Sequence, residues 1–177
     1  MLGLSLSAFA IIHVIISLVA IASGFVVMFG LLGSKRMPAS TTIFLFFTIL
    51  TSVTGFMFPA THLLTSHLIG MVSLVLLAAA CIALYAMKLR GPWRAVYVLT
   101  ALVSLYLNVF VLLVQGFLKI PALHELALGN APNRPVFAVI QGLVLTFFVL
   151  VIVGAWRRFK PDPGVRLIAG MEPEGAG

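Results

Sequence analysis

Charge is what this 177-residue sequence has least of: Asp, Glu, Lys and Arg make up 8% of it, against about 25% in a soluble domain. Apolar residues make up 62%, and the mean hydropathy is +1.22. A water-facing surface cannot be built from this composition, so the solvent is largely lipid. Only four residues are acidic (Glu125, Asp162, Glu172 and Glu174), and none lies inside a long apolar run. A general base therefore has no membrane-embedded carboxylate to draw on. Phosphate-binding motifs of the G-x-x-x-x-G-K-[ST] and G-x-G-x-x-G kinds are also missing. These absences count against hydrolases and nucleotide-dependent enzymes.

Cysteine occurs once, as Cys81. An intramolecular disulfide, a thiolate metal pair and a C-x-x-C-H haem attachment are all excluded. Cys81 sits in the run Ala78–Leu84 and reads as an inert small residue. No charged residue occurs between Met1 and Ser34. A secretory signal has a basic start and an apolar stretch of about 7–15 residues. This run is longer, and its basic pair, Lys35 and Arg36, follows it. It reads as a membrane anchor that starts outside.

The length favours one domain. About 20 apolar residues span the hydrocarbon core as a helix. The stretch from Met37 to Met87 is too long for one helix and breaks at Pro59-Ala60-Thr61-His62. The expected architecture is all-α, a polytopic bundle of five transmembrane helices. The predicted spans are Leu6–Leu32, Thr41–Ala60, Ser66–Met87, Ala95–Leu118 and Val136–Trp156. Strands would alternate polar and apolar residues, and these runs do not; in lipid the backbone must satisfy its own hydrogen bonds. Residues 1–160 form the membrane domain. Residues 161–177, rich in Pro and Gly, read as a loosely ordered cytoplasmic tail. Between the last two spans, Pro121 opens a predicted short surface helix.

The net charge of +7 does not indicate nucleic acid, because the basic residues form short groups between apolar runs. Lys35, Arg36, Lys88, Arg90, Arg94, Arg157, Arg158, Lys160 and Arg166 fall on one side; only Lys119 and Arg134 fall on the other. The richer side faces the cytoplasm by the positive-inside rule, with Trp93 and Trp156 at that interface. The N-terminus is then periplasmic.

The four histidines gather at the opposite, outer side. His13 lies about two turns into the first helix, His62 ends the second and His67 opens the third. His124 falls in the outer loop. Small and polar residues share faces: Ala10, His13, Ser17, Ala20 and Gly24; Thr48, Ser52, Gly55, Pro59 and His62; Tyr97, Thr100 or Ala101, Ser104, Asn108 and Gln115. Asn108 lies about 15 Å deep. Such stripes either glue helices together or line a site. A faint repeat relates His13 and Lys35-Arg36 to His67 and Lys88, which would set the two imidazoles at one depth. His62 and His67 read equally well as interfacial caps. His124 with Glu125 reads as a solvated pair, since position 128 is Leu where a zincin needs His.

Three classes of function fit these residues. In the first, His13 and His67 ligate a b-type haem, with Gly70 beside the ring and Ser17, Gln115 or Gln141 fixing an imidazole. The near rival is a copper or zinc site on His13, His62 and His67, with Met57 or Met71 as a softer ligand. Either would serve electron exchange with a quinone or a periplasmic redox partner. In the second, the polar stripe lines a small transporter or channel, which would need a homo-oligomer; Ala20-x-x-x-Gly24 is a candidate dimer contact. In the third, the chain is a cofactor-free accessory or assembly subunit of a larger membrane complex.

The segments Thr51–Pro59, Ser66–Gly70, Leu105–Phe110 and Lys119–Leu123 resemble a group of small bacterial inner-membrane proteins described only as hypothetical. The resemblance extends over all five helices. It implies a bacterial inner membrane and carries no activity.

Overall fold

A computed structural model describes residues 5–58, 65–128 and 136–160. His62, Arg134, Arg166 and the tail at 161–177 lie outside the described residues. The described residues are helical, without strands: α1 Leu6–Leu32, α2 Pro38–Phe56, α3 Thr65–Cys81, α4 Trp93–Lys119, α5 Pro121–Leu128 and α6 Val136–Arg158. A π turn, Ile82–Ala86, extends α3. Five of these helices are long and apolar enough to cross a membrane: α1, α2, α3 with its π turn, α4 and α6.

Local chemistry sets the boundaries. Ser5 caps α1 by accepting from the Ala8 amide at 3.2 Å. Pro38 occupies the first turn of α2, where its missing N–H costs nothing, so α2 starts three residues before the predicted Thr41. It also ends at Phe56 rather than Ala60, because Pro59 disfavours helical backbone just before it. Ile120 is extended (φ −94°, ψ 114°) for the same reason, and this separates α4 from α5 at Pro121. The predicted short surface helix is therefore present as α5. Helix α6 runs two residues past Trp156 to Arg158, placing two cations at its negative dipole end.

The basic ends are tied together. Arg94 donates to the carbonyls of Trp156 (3.1 Å) and Phe159. Lys160 donates its amide to Ser34 Oγ at 2.9 Å. The Arg94 bonds satisfy carbonyls at the C-terminal end of α6, where a helix leaves carbonyls without partners. Lys88 and Leu89 have left-handed backbones (φ 49° and 58°). The turn carries Leu89 inward, where it is buried.

The core lies in the half of the bundle nearest those ends. Val27 and Met28 of α1, Phe44 of α2, Leu77 of α3, Leu102 of α4 and Phe148 of α6 belong to one buried cluster. At its edge away from those ends, Gly24 brings α1 against α2 and α4. A Cβ there would lie 2.5 Å from Leu105 Cδ1 and 2.9 Å from the Phe44 ring. Ala20 and Gly24 are both buried within the chain. The expected dimer contact on Ala20-x-x-x-Gly24 is thus corrected: α2 and α4 of the same chain already occupy that face.

Gly24→Ala should lower the unfolding temperature in detergent, because Leu105 and Phe44 are themselves buried and cannot yield. The expected cost is about 1–3 kcal/mol. Gly142→Ala, which meets nothing within 4 Å, should be neutral or stabilising. Equal stability of the two variants would contradict this packing.

Candidate functional site

The half of the bundle away from the basic ends is open. A cavity of about 310 Å³ lies among α1, α2, α3 and α4. Helix α1 contributes Ala10, His13, Val14 and Ser17; α2 contributes Thr51, Ser52, Gly55 and Phe56. Helix α3 adds His67, Ile69, Gly70 and Ser73, and α4 adds Asn108, Val111, Leu112, Gln115 and Lys119. Among the described residues the lining carries no carboxylate and one cation, Lys119. Helices α1 and α3 do not pack on each other; each packs on α2. The gap between them is the cavity.

Both described membrane histidines line it. Each stands 19 residues before the basic-side end of its helix (13 to 32, 67 to 86). His13 Nδ1 lies 2.7 Å from Thr54 Oγ1. The Thr54 hydroxyl proton is directed to the Leu50 carbonyl at 2.7 Å. A hydroxyl has one proton to donate, so Thr54 accepts from His13 Nδ1–H. The imidazole is then the Nδ1–H tautomer, with the Nε2 lone pair unprotonated. The Phe58 ring meets His13 edge-on, with centroids 5.2 Å apart at 87°. His67 is 8% exposed and stacks on Phe56, with centroids 5.6 Å apart at 17°.

Two hydroxyls of the cavity wall lack partners. The hydroxyls of Thr51 and Ser73 are buried without a hydrogen bond, and Ser73 is only 3% exposed. An unsatisfied buried hydroxyl costs about 1–3 kcal/mol, which a ligand or water would recover. Asn108 donates to Thr48 Oγ1 at 3.3 Å. It is both interhelical glue and cavity lining.

The expected imidazole partners bond elsewhere in two cases. Ser17 donates to the His13 carbonyl at 2.8 Å, not to an imidazole. Gln141 donates to the Tyr106 hydroxyl at 3.1 Å and does not line the cavity. Gln115 does line it. Thr54 holds the imidazole. Its signal in the sequence was its place one turn from Thr51 on α2, but serine and threonine spacing does not reveal which neighbour is faced. Met57 and Met71, the expected softer ligands, do not line the cavity and are 36% and 42% exposed. Among the described residues no three His, Cys, Asp or Glu side chains form a metal group; His62 lies outside them. His124 and Glu125 are exposed on α5.

No protein-family model matches this chain, and neither a curated protein nor a solved structure is similar to it.

Thr54→Val should leave His13 Nδ1–H without its acceptor. Nitrogen-15 spectra of the histidines should show His13 as the Nδ1–H tautomer in the wild type and shifted toward Nε2–H in the variant. A wild-type His13 already protonated on Nε2 would contradict the assignment.

Proposed function

We propose that this chain is a multi-pass protein of the bacterial cytoplasmic membrane that binds a small lipophilic molecule with a hydrogen-bonding head, of the hydroquinone–quinone class. The basic ends face the cytoplasm in this reading, because eight of the described cations lie there and Lys119 stands alone at the other end. The cavity then belongs to the periplasmic half.

The observation that carries the proposal is an apolar cavity holding a few polar atoms without partners. Its volume lies at the small end of the range for ligand pockets, about 300–1,000 Å³, which are mostly apolar with a few placed polar groups. His13 Nε2 accepts a hydrogen bond from a ligand O–H. Ser73, Thr51, Gln115 and Lys119 donate to ligand oxygens. Phe56, Leu107, Val111 and Leu112 line the cavity and suit an aromatic ring and its alkyl tail. A hydroquinone needs both kinds of partner; its oxidised form needs only donors.

A second reading, b-type haem, is favoured by one observation: the two histidines line one cavity from helices that do not touch. His13 and His67 would hold the iron, and Thr54 would orient His13. The haem would supply one-electron chemistry.

The purified chain should bind a decyl-substituted benzohydroquinone saturably, as followed by calorimetry. Gly55→Leu, which pushes a side chain into the space beside His13, should abolish binding. Ser73→Ala should weaken it by roughly threefold to tenfold, the cost of one hydrogen bond. Absence of saturable binding, or binding indifferent to Gly55→Leu, would contradict the proposal. An absorption spectrum separates the second reading: a Soret band lost in His13→Ala and His67→Ala supports haem. A colourless protein that takes up no added hemin removes it.

A further inference from the structure

A second cavity lies at the basic end, about 130 Å³, between the α1–α2 turn, the π turn and the start of α4. It shares no lining residue with the histidine cavity. Its polar lining is Lys35, Arg36, Thr41, Thr42, Tyr85 and Tyr97. Neither cation has an ion-pair partner among the described residues. Glu125 is the one described acidic residue, and it lies at the far end of the bundle on α5.

The hydroxyls are similarly under-used. Tyr97 is 3% exposed, yet its nearest partner, Thr41 Oγ1, is 3.5 Å away. Tyr85 and Thr42 stand 3.4 Å apart. Good O–H···O bonds run about 2.5–3.0 Å. Thr42 already donates to the Pro38 carbonyl at 3.1 Å, whereas the hydroxyls of Thr41, Tyr97 and Tyr85 have no closer partner and line the cavity. Three donor hydroxyls and two cations without an ion-pair partner among the described residues define an anion site. The first turn of α2, which has no side-chain cap, faces the same space through Pro38, Thr41 and Thr42.

The rest of the lining is apolar: Val27, Leu31, Leu84, Leu89 and Phe159. A free inorganic anion has no use for such a wall. A glycerol backbone and the first methylenes of an acyl chain do. Basic pockets between helices at the cytoplasmic level hold lipid head groups in this way.

We propose that this cavity binds the phosphate of an anionic phospholipid, with Lys35 and Arg36 pairing its charge and Tyr97 and Tyr85 donating to its oxygens. Lys88 and Leu89, in their left-handed turn, close the cavity by bringing Leu89 to its wall. The site stands independently of the histidine cavity and of any ligand held there.

The test is thermal unfolding and native mass spectrometry of the full chain in neutral detergent. It is titrated with short-chain phosphatidylglycerol, phosphatidylcholine of the same chains, and inorganic phosphate. Phosphatidylglycerol should raise the unfolding temperature and remain bound, while phosphatidylcholine should do neither. Inorganic phosphate should need at least about a hundredfold higher concentration for the same shift, because it leaves the apolar wall unused. Lys35→Gln with Arg36→Gln should remove the preference. Tyr97→Phe, a change too conservative to unfold the bundle, should weaken phosphatidylglycerol by about tenfold, the loss of one hydrogen bond to a charged group. Arg157→Gln with Arg158→Gln, cations outside the cavity, should leave the preference in place. Equal response to the two lipids would overturn the lipid site, as would a preference that survives in Tyr97→Phe or follows Arg157 and Arg158. Inorganic phosphate acting at the same concentration as the lipid would assign the cavity to the free anion and overturn the lipid.

Discussion

Lipid gives apolar helices no reason to leave it, so a bundle in a membrane coheres only where backbones and side chains pack more closely than lipid can. Gly24 is that place here. With no Cβ, it lets the Phe44 ring and Leu105 reach the α1 backbone, and from this contact α1, α2 and α4 are held at a fixed spacing. The buried cluster extends from it toward the basic ends only. The hydrogen bonds of Arg94 and Ser34 close that end. On the other side of Gly24 the helices part, and the histidine cavity fills the divergence. Dense packing in one half thus allows open space in the other.

The sequence made the fold legible because membrane helices announce themselves by length and hydropathy. All five spans were readable, and α1 was readable to both of its ends. The misplaced boundaries all lay beside proline or beside interfacial residues. Pro38 started α2 early and Pro59 stopped it early. The site was legible in part. The depth bias of His13 and His67 and the stripe ending at Gln115 pointed to one end, and both histidines, Asn108 and Gln115 do line one cavity. What periodicity cannot give is the rotation of each helix about its axis. Ser17 and Gln141 were among the expected imidazole partners, but the hydroxyl beside His13 Nδ1 belongs to Thr54 of α2. Ala20 and Gly24 looked like a dimer seam for the same reason: a small-residue stripe does not say which helix it meets.

The two ends of the bundle differ in chemistry as well as in packing. At the basic end, cations and tyrosine hydroxyls meet an apolar wall. At the other, an imidazole in a defined tautomer faces unpartnered hydroxyls within an apolar space. One arrangement suits an anchor to the surrounding lipid. The other, in the proposed reading, suits a guest with its own hydrogen-bonding head, from which His13 Nε2 would accept a hydrogen bond.

The central claim is the contrast between a closed half and an open half. Single cysteines in a Cys81→Ala background test it directly, using a small water-soluble methanethiosulfonate reagent on the membrane-embedded chain. Ser73→Cys and Ser17→Cys, which line the histidine cavity, should react. Ala80→Cys and Ala101→Cys, buried in the cluster on the same helices or their neighbours, should not. Equal reactivity at all four positions, or none at Ser73→Cys and Ser17→Cys, would contradict the account.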